Sequence, residues 1–416
     1  MSEPTRLPPR AGALAPFRVL DLSRVLAGPW CGQILADLGA DVVKVERPGA
    51  GDDTRAWGPP FLERPDGEET KEAAYYLSAN RGKRSITVDL SRPEGQRLVR
   101  ELAAKADVLL ENYKAGGLRK FGLDYESLRA VNPGLVYCSI TGFGHTGPYA
   151  DHAGYDLIAE AMGGFMSITG ERDDKPGGGP QKAGVAIADL TTGMYSTVGV
   201  LAALLSRGVT GQGQHLDMCL LDCQVALLAN QNMNYLIGGK PPGRSGNAHP
   251  NIVPYGAYPA SDGYIVLGIG NEGQFRKFLE VAGRPEIADD PRFLTNRLRV
   301  ANRKVLEPMV EEITRSRTMD EWIAPLDAAG VPAGPINTLD RVFADPQVQA
   351  RGMVVEVMHS LGFPIPNVAS PIKLSGTPVR YRNAAPLLGE HTDEVLAEWL
   401  GLEDAAIAAL HEAGVV

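Results

Sequence analysis

The chain has 416 residues, 44% of them hydrophobic, with 48 Gly and 31 Pro scattered through it and no internal repeat. That composition supplies ample core and excludes fibrous and disordered classes, and the length suggests two or three domains. A net charge of −9 argues against a nucleic-acid or anionic-membrane surface, though a local basic pocket for a small anionic ligand is compatible with it.

Residues 1–16 carry Pro, Arg and Glu without a signal-type apolar core and read as a short flexible arm. Residues 17–22 predict a buried strand, 28–38 a helix and 41–46 a second strand, which is one βαβ unit. A strand at 85–90, a helix at 93–106 and a strand at 107–111 predict a second unit, and 135–140 a further strand. Strands alternating with helices imply a parallel sheet covered on both faces. The first βα turn, residues 23–29, lacks the G-x-G-x-x-G dinucleotide fingerprint. That string occurs at 268–273, where no acidic-ended strand follows, and reads as a tight strand-to-helix turn.

Residues 183–188 are small and apolar and lead into Asp189, after which an apolar helix pattern runs to about Ser206. No Lys, Arg or second acid lies within several residues. A carboxylate at a helix mouth is either an ordinary cap, accepting a first-turn N–H and favoured by the helix dipole, or a nucleophile.

A Gly/Pro cluster at 238–243 predicts a linker. A hairpin at 255–269 turns at Ser261-Asp262-Gly263, and helices follow at 272–281, 302–315 and 319–328, forming a compact α+β segment. The chain returns through 332–335 and a helix at 339–344, and ends in a helical pattern after 386–392. The expected division is therefore 1–225, 226–335 and 336–416. No apolar stretch is read as transmembrane. Cys31, Cys138, Cys219 and Cys223 lack zinc-ligand spacing and read as buried free thiols of a cytoplasmic protein.

Several strings in order resemble the family III CoA-transferases, the formyl-CoA and carnitine CoA-transferase group, which also contains the α-methylacyl-CoA racemases. They are residues 19–29, 39–47, Asn80-Arg81-Gly82-Lys83-Arg84-Ser85, Glu111-Asn112-Tyr113, Gly154-Tyr155-Asp156, the Asp189 segment and 386–392, covering nearly the whole chain from Phe17. The resemblance implies a large Rossmann-like domain made from both chain ends, a small α+β domain from the middle, and two chains interlocked as a homodimer. It implies that Asp189 is the nucleophile, that CoA and acyl-CoA are substrates, and that no metal or permanently bound cofactor is needed. A helix N-terminus would keep Asp189 ionised and offer N–H groups to oxyanions. By the same resemblance Val25 and Ala27 flank the pantetheine and adenine path, and Arg47, Lys83, Asn112 and Arg119 are polar contacts to CoA.

Racemases of the family place a His-Asp pair where this chain has Tyr155-Asp156. A tyrosine titrates near ~10 and is a poor base at neutral pH, so the transferase reading leads and Tyr155 is assigned to the acyl site. His152 lies three residues away, but Gly163-Gly164 fixes the alignment on Tyr155. Formyl-CoA:oxalate transferases carry a glycine run where this chain has residues 245–255, and that run is missing. This stretch, together with residues 263–271 and 329–332 through 335–337, is most similar to the succinyl-CoA:glutarate (hydroxymethylglutarate) branch, whose substrates are dicarboxylates. His249 and Asn251 are candidates for the remote carboxylate, with Arg24 and Arg55 as alternatives. A non-catalytic acyl-CoA-binding protein is a third reading, against which Asp189 stands.

Overall fold

The structure, a computed structural model, describes residues 12–416. Six strands form the central sheet: β1 (Arg18–Asp21), β2 (Asp41–Glu46), β3 (Lys83–Thr87), β4 (Val108–Glu111), β5 (Val136–Thr141) and β6 (His215–Cys219). Their order is β3-β2-β1-β4-β5-β6 and every pairing is parallel. This is the doubly wound order, in which the chain reverses direction between β1 and β4 and leaves a crevice at their carboxyl ends.

Alternation along the strands explains the two layers. Leu20, Val43, Val45, Ile86 and Leu109 point to one face and pack with Leu98, Val99 and Trp399. Val19, Val42, Val108, Leu110 and Val136 point to the other and pack with Cys31, Leu35, Ala188 and Val200. The helices that bear on the site are α1 (Ala27–Asp37), α2 (Pro93–Ala103), α3 (Asp156–Met162), α4 (Ile187–Thr210) and α5 (Leu220–Leu227). The C-terminal string closes on the sheet, with His391 N–H donating to Ser85 O at 2.9 Å.

Some expectations change. The third strand starts and stops earlier than 85–90, because pairing to β2 runs from Lys83 to Thr87. Of the expected arm, residues 1–11 lie outside the described residues. Within residues 12–16, Leu14 is buried and its N–H donates to Leu38 O at 2.9 Å. Helix α4 begins before Asp189 and ends only at Gly211, whose φ of 71° suits glycine. At 24 residues α4 is long and apolar enough to cross a membrane by length and composition, which the sequence reading assigned to no segment. Here it is a core helix that buries Ala188, Gly193, Ser196, Thr197 and Val200.

The chain groups into two units, one of residues up to Phe165, Ala183–Asn232 and Gln349–Val416, the other of Met166–Lys182 and Met233–Val348. These bounds differ from the expected 225/226 and 335/336 divisions: Met166–Lys182 and the helix Leu339–Ala344 fall in the smaller unit. In the smaller unit β7 (Tyr255–Pro259) and β8 (Tyr264–Gly268) form an antiparallel hairpin flanked by β9 (Ala333–Pro335). Helices α6 (Glu272–Val281), α7 (Arg303–Thr314) and α8 (Met319–Ala328) bury Phe278, Val310 and Trp322 with Ile265 and Leu267. The glycine string at 268–273 is a strand-to-helix turn capped by Asn271, whose side chain accepts from Gln274 N–H at 2.9 Å.

Candidate active site

The crevice of the larger unit is a cleft of about 590 Å³. The turn after β1 supplies Arg24, Val25 and Ala27; the loop after β4 supplies Asn112, Tyr113 and Lys114. Ala150, residues 152–156 and Asp189 also line it. Of the residues expected at the site, Val25, Ala27, Asn112, Tyr155 and Asp189 are thus brought together.

Buried charges hold the floor in shape. Val25 has φ 69°, a left-handed conformation that a β-branched residue adopts only under constraint. Its N–H donates to both Asp52 carboxylate oxygens at 3.2 Å. Asp52 in turn receives Lys44 Nζ at 2.8 Å and the Thr54 N–H at 3.0 Å. Burial opposes ionisation of Asp52, but Lys44 and Thr54 outweigh it and bring the carboxyl down to about 2. Asn112 ties the ends of β1 and β4 across the switch point. It accepts from Arg24 N–H at 2.8 Å and donates to Arg24 O at 2.6 Å.

Lys83 is corrected by the structure. It is fully buried, and its ammonium donates to Asp21 at 2.9 Å, Pro29 O at 2.9 Å and Asn80 at 3.0 Å. An ammonium has three donors, so none is left for CoA. Arg47 is exposed beyond β2 and outside the cleft lining. Arg119 lines a neighbouring cavity of about 290 Å³ with Glu111, Ser139, His145 and His215, and Lys114 lines both cavities. There burial pushes the Glu111 carboxyl up to about 7, against bonds from Ser139 and the Tyr113 N–H. Arg55 is occupied by Glu46, Glu72, Tyr76 and Pro386 O, whereas Arg24 lines the cleft, pairing with Asp53 at 3.0 Å.

Asp189 is the third residue of α4, not its cap. The cap comes from a distant segment: Asp156 Oδ1 accepts the N–H of Ala188 at 2.8 Å and of Asp189 at 3.2 Å. No described residue donates a hydrogen bond to the Asp189 carboxylate. Burial and then the Asp156 charge push it up to about 7. The expectation of a dipole-stabilised, fully ionised carboxylate with free N–H groups beside it is therefore revised. Close backbone packing delivers Asp189 to the cleft. A Cβ on Gly193 would lie 2.6 Å from Ala27 O, so only glycine lets α4 approach the start of α1. A Cβ on Gly142 would strike Gly154 Cα, which pins the 150–156 segment.

Tyr155 is 69% exposed on the cleft wall. His152 also lines the cleft, its ring tilted against Tyr149 with centroids 5.1 Å apart. Sequence reasoning missed Trp57, Tyr75 and Lys114, and it gave Asp156 no role. Trp57 lines the cleft and meets Tyr75 edge-on at 5.2 Å; burial, then Asp189 and Asp156, raise the Tyr75 phenol. His249 and Asn251 belong to the smaller unit, where Asn251 N–H donates to His249 Nδ1 at 3.1 Å. Arg303 donates to His249 O at 2.5 Å and holds that loop. Among the described residues no group of three or more His, Cys, Asp or Glu is placed to hold a metal ion.

The fold and cleft define a Rossmann-like α/β protein that presents one poorly solvated carboxylate at its switch point. Residues 14–392 match CoA-transferase family III, and the chain belongs to that family. It is 56% identical over 403 residues to the succinate–glutarate CoA-transferase of Agrobacterium fabrum, covering 97% of this chain and 98% of that one. It is 45% identical over 406 residues to the human succinyl-CoA:glutarate CoA-transferase, covering 96% and 89%. A solved CAIB/BAIF family protein from Brucella suis superposes with a TM-score of 0.84 at 53% identity, covering 94% and 100%. The chain is an enzyme whose substrates are CoA thioesters.

Proposed function

We propose that this enzyme moves CoA from succinyl-CoA to a dicarboxylic acid such as glutarate, with Asp189 as the covalent carrier. One observation carries the assignment: Asp189 faces the cleft, half-buried and with no hydrogen-bond donor on its carboxylate among the described residues. The names of the similar enzymes support the substrate pair.

In the proposed sequence, the ionised Asp189 attacks the thioester carbonyl, the C–S bond breaks and CoA leaves as thiolate. The product is an aspartyl–succinyl anhydride. The thiolate then attacks the Asp189 carbonyl and expels succinate, leaving an aspartyl-CoA thioester. The acceptor carboxylate repeats these steps in reverse. No water is consumed, so both intermediates must be shielded from it. Val25 and Ala27 border the pantetheine, while Arg24, Lys114 and Arg119 are the cations available to phosphates or to a remote carboxylate. His249 and Asn251 remain candidates for that carboxylate. The racemase reading needs a histidine as second acid/base at the position that Tyr155 occupies in this chain.

The proposal includes an interlocked homodimer in the cytoplasm. Met194, Val198, Leu205 and Val209 form one exposed apolar stripe on α4, which suits a partner chain. All four cysteines are buried and unpaired, as suits a reducing compartment. The assignment is tested by incubating the enzyme with succinyl-CoA and labelled glutarate and following glutaryl-CoA by mass spectrometry. Asp189→Ala is expected to abolish exchange and the hydroxylamine-trapped adduct at position 189. Exchange by that variant would refute the covalent route.

A further inference from the structure

We infer that Asp156 is the positioning residue for the nucleophile: it fastens the first turn of the helix that carries Asp189 and sets its own charge against that carboxylate. The inference rests on the transferase reading above. Helix α4 has no cap of its own, since Ala186 at the N-cap offers no side-chain acceptor. Its first-turn N–H groups need partners, and Ala188 is shut off from water at 0% exposure. Asp156 Oδ1 supplies the partner for two of them, at 2.8 and 3.2 Å.

A second contact makes this a grip rather than a touch. One turn further along α3, Glu160 accepts the Ala183 N–H at 2.8 Å. Helix α3 therefore holds the segment 183–189 at both ends, and the Gly142–Gly154 contact fixes where α3 begins. The same bonds use the N–H groups of both Ala188 and Asp189. The ionisable groups facing the pair are Tyr75, Glu160 and, around the cleft, Arg24, Asp53, Tyr113, Lys114, His152 and Tyr155. Tyr75 stays neutral in the working range, because burial and the two carboxylates raise it. The cleft cation Arg24 is already paired to Asp53. Burial first, and then the Asp156 charge, raise the Asp189 carboxyl.

Asp156→Asn keeps an acceptor and removes the charge; Asp156→Ala removes both. In the Asn variant the acidic limb of the kcat/KM profile is expected to move to lower pH. In the Ala variant kcat is expected to fall about tenfold or more at every pH, with KM for succinyl-CoA little changed. Circular dichroism checks that both variants fold, and the Asn profile decides the matter if the Ala variant does not. An Asn profile superimposing on the unaltered one, or full exchange by the Ala variant, overturns the inference. Exchange by Asp189→Ala in the same assay would instead overturn the transferase route itself.

Discussion

At Asp189, burial and the Asp156 charge raise the carboxyl to about 7, so near neutrality the free enzyme holds both forms. Only the anion attacks a thioester. The kcat/KM for acyl-CoA is therefore expected to be flat above this value and to fall about tenfold per unit below it. A stopped-assay profile between pH 5 and 9 checks this; a flat profile down to pH 5 would place the nucleophile elsewhere. A raised carboxyl is also a more basic nucleophile, which suits attack on a thioester. The run from 183 to 189 could suggest either a cap or a nucleophile, but not the neighbour that decides between them. Asp156 lies 33 positions away and meets Asp189 only in three dimensions. Lys83 shows the converse. The Asn80–Ser85 string resembles its family well, yet nothing in a string says whether a lysine reaches a ligand or the core. Lys83→Met is expected to leave Asp21 buried without its partner and to cost about 3–5 kcal/mol. Urea denaturation measures this, and a change confined to KM would restore the ligand role.

At the level of elements, strands were the most legible part. Runs such as Val42-Val43 with Val45, flanked by Gly and Pro, leave little choice, and β2 falls at 41–46 as expected. The start of α4 was not legible, because its cap comes from another helix. The turn after β1 is held by a residue of a later loop: Asp52 fixes Val25 in its left-handed conformation and neutralises Lys44. Asp52→Ala is expected to destabilise the larger unit by about 3–5 kcal/mol, because it strands the Lys44 charge. The pH sign follows from the lowered Asp52 carboxyl. Its contribution is complete above the ordinary carboxylate value and is lost as pH falls towards about 2. Acid titration of the melting temperature should therefore lose this dependence in the variant.

On the scale of the whole molecule, alternating strands and helices made the doubly wound class readable, and the middle hairpin with its three helices was readable too. The excursion of Met166–Lys182 into the smaller unit was not, since short irregular segments carry no periodicity. The apolar stripe on α4 has its own consequence. Val198→Glu combined with Leu205→Glu is expected to halve the mass seen by sedimentation at micromolar concentration. An unchanged mass would show that this face is not where a second chain sits.

The chain contains 50 acidic side chains, all the same functional group to a reactive thioester. Helix α3 and the glycine contact beneath Ala27 assemble only when segments far apart in the chain have met. Before that, Asp189 is as well hydrated and as unreactive as the rest. Chemical selectivity among identical groups is thus a product of folding, and a nascent or partly unfolded copy would not consume acyl-CoA.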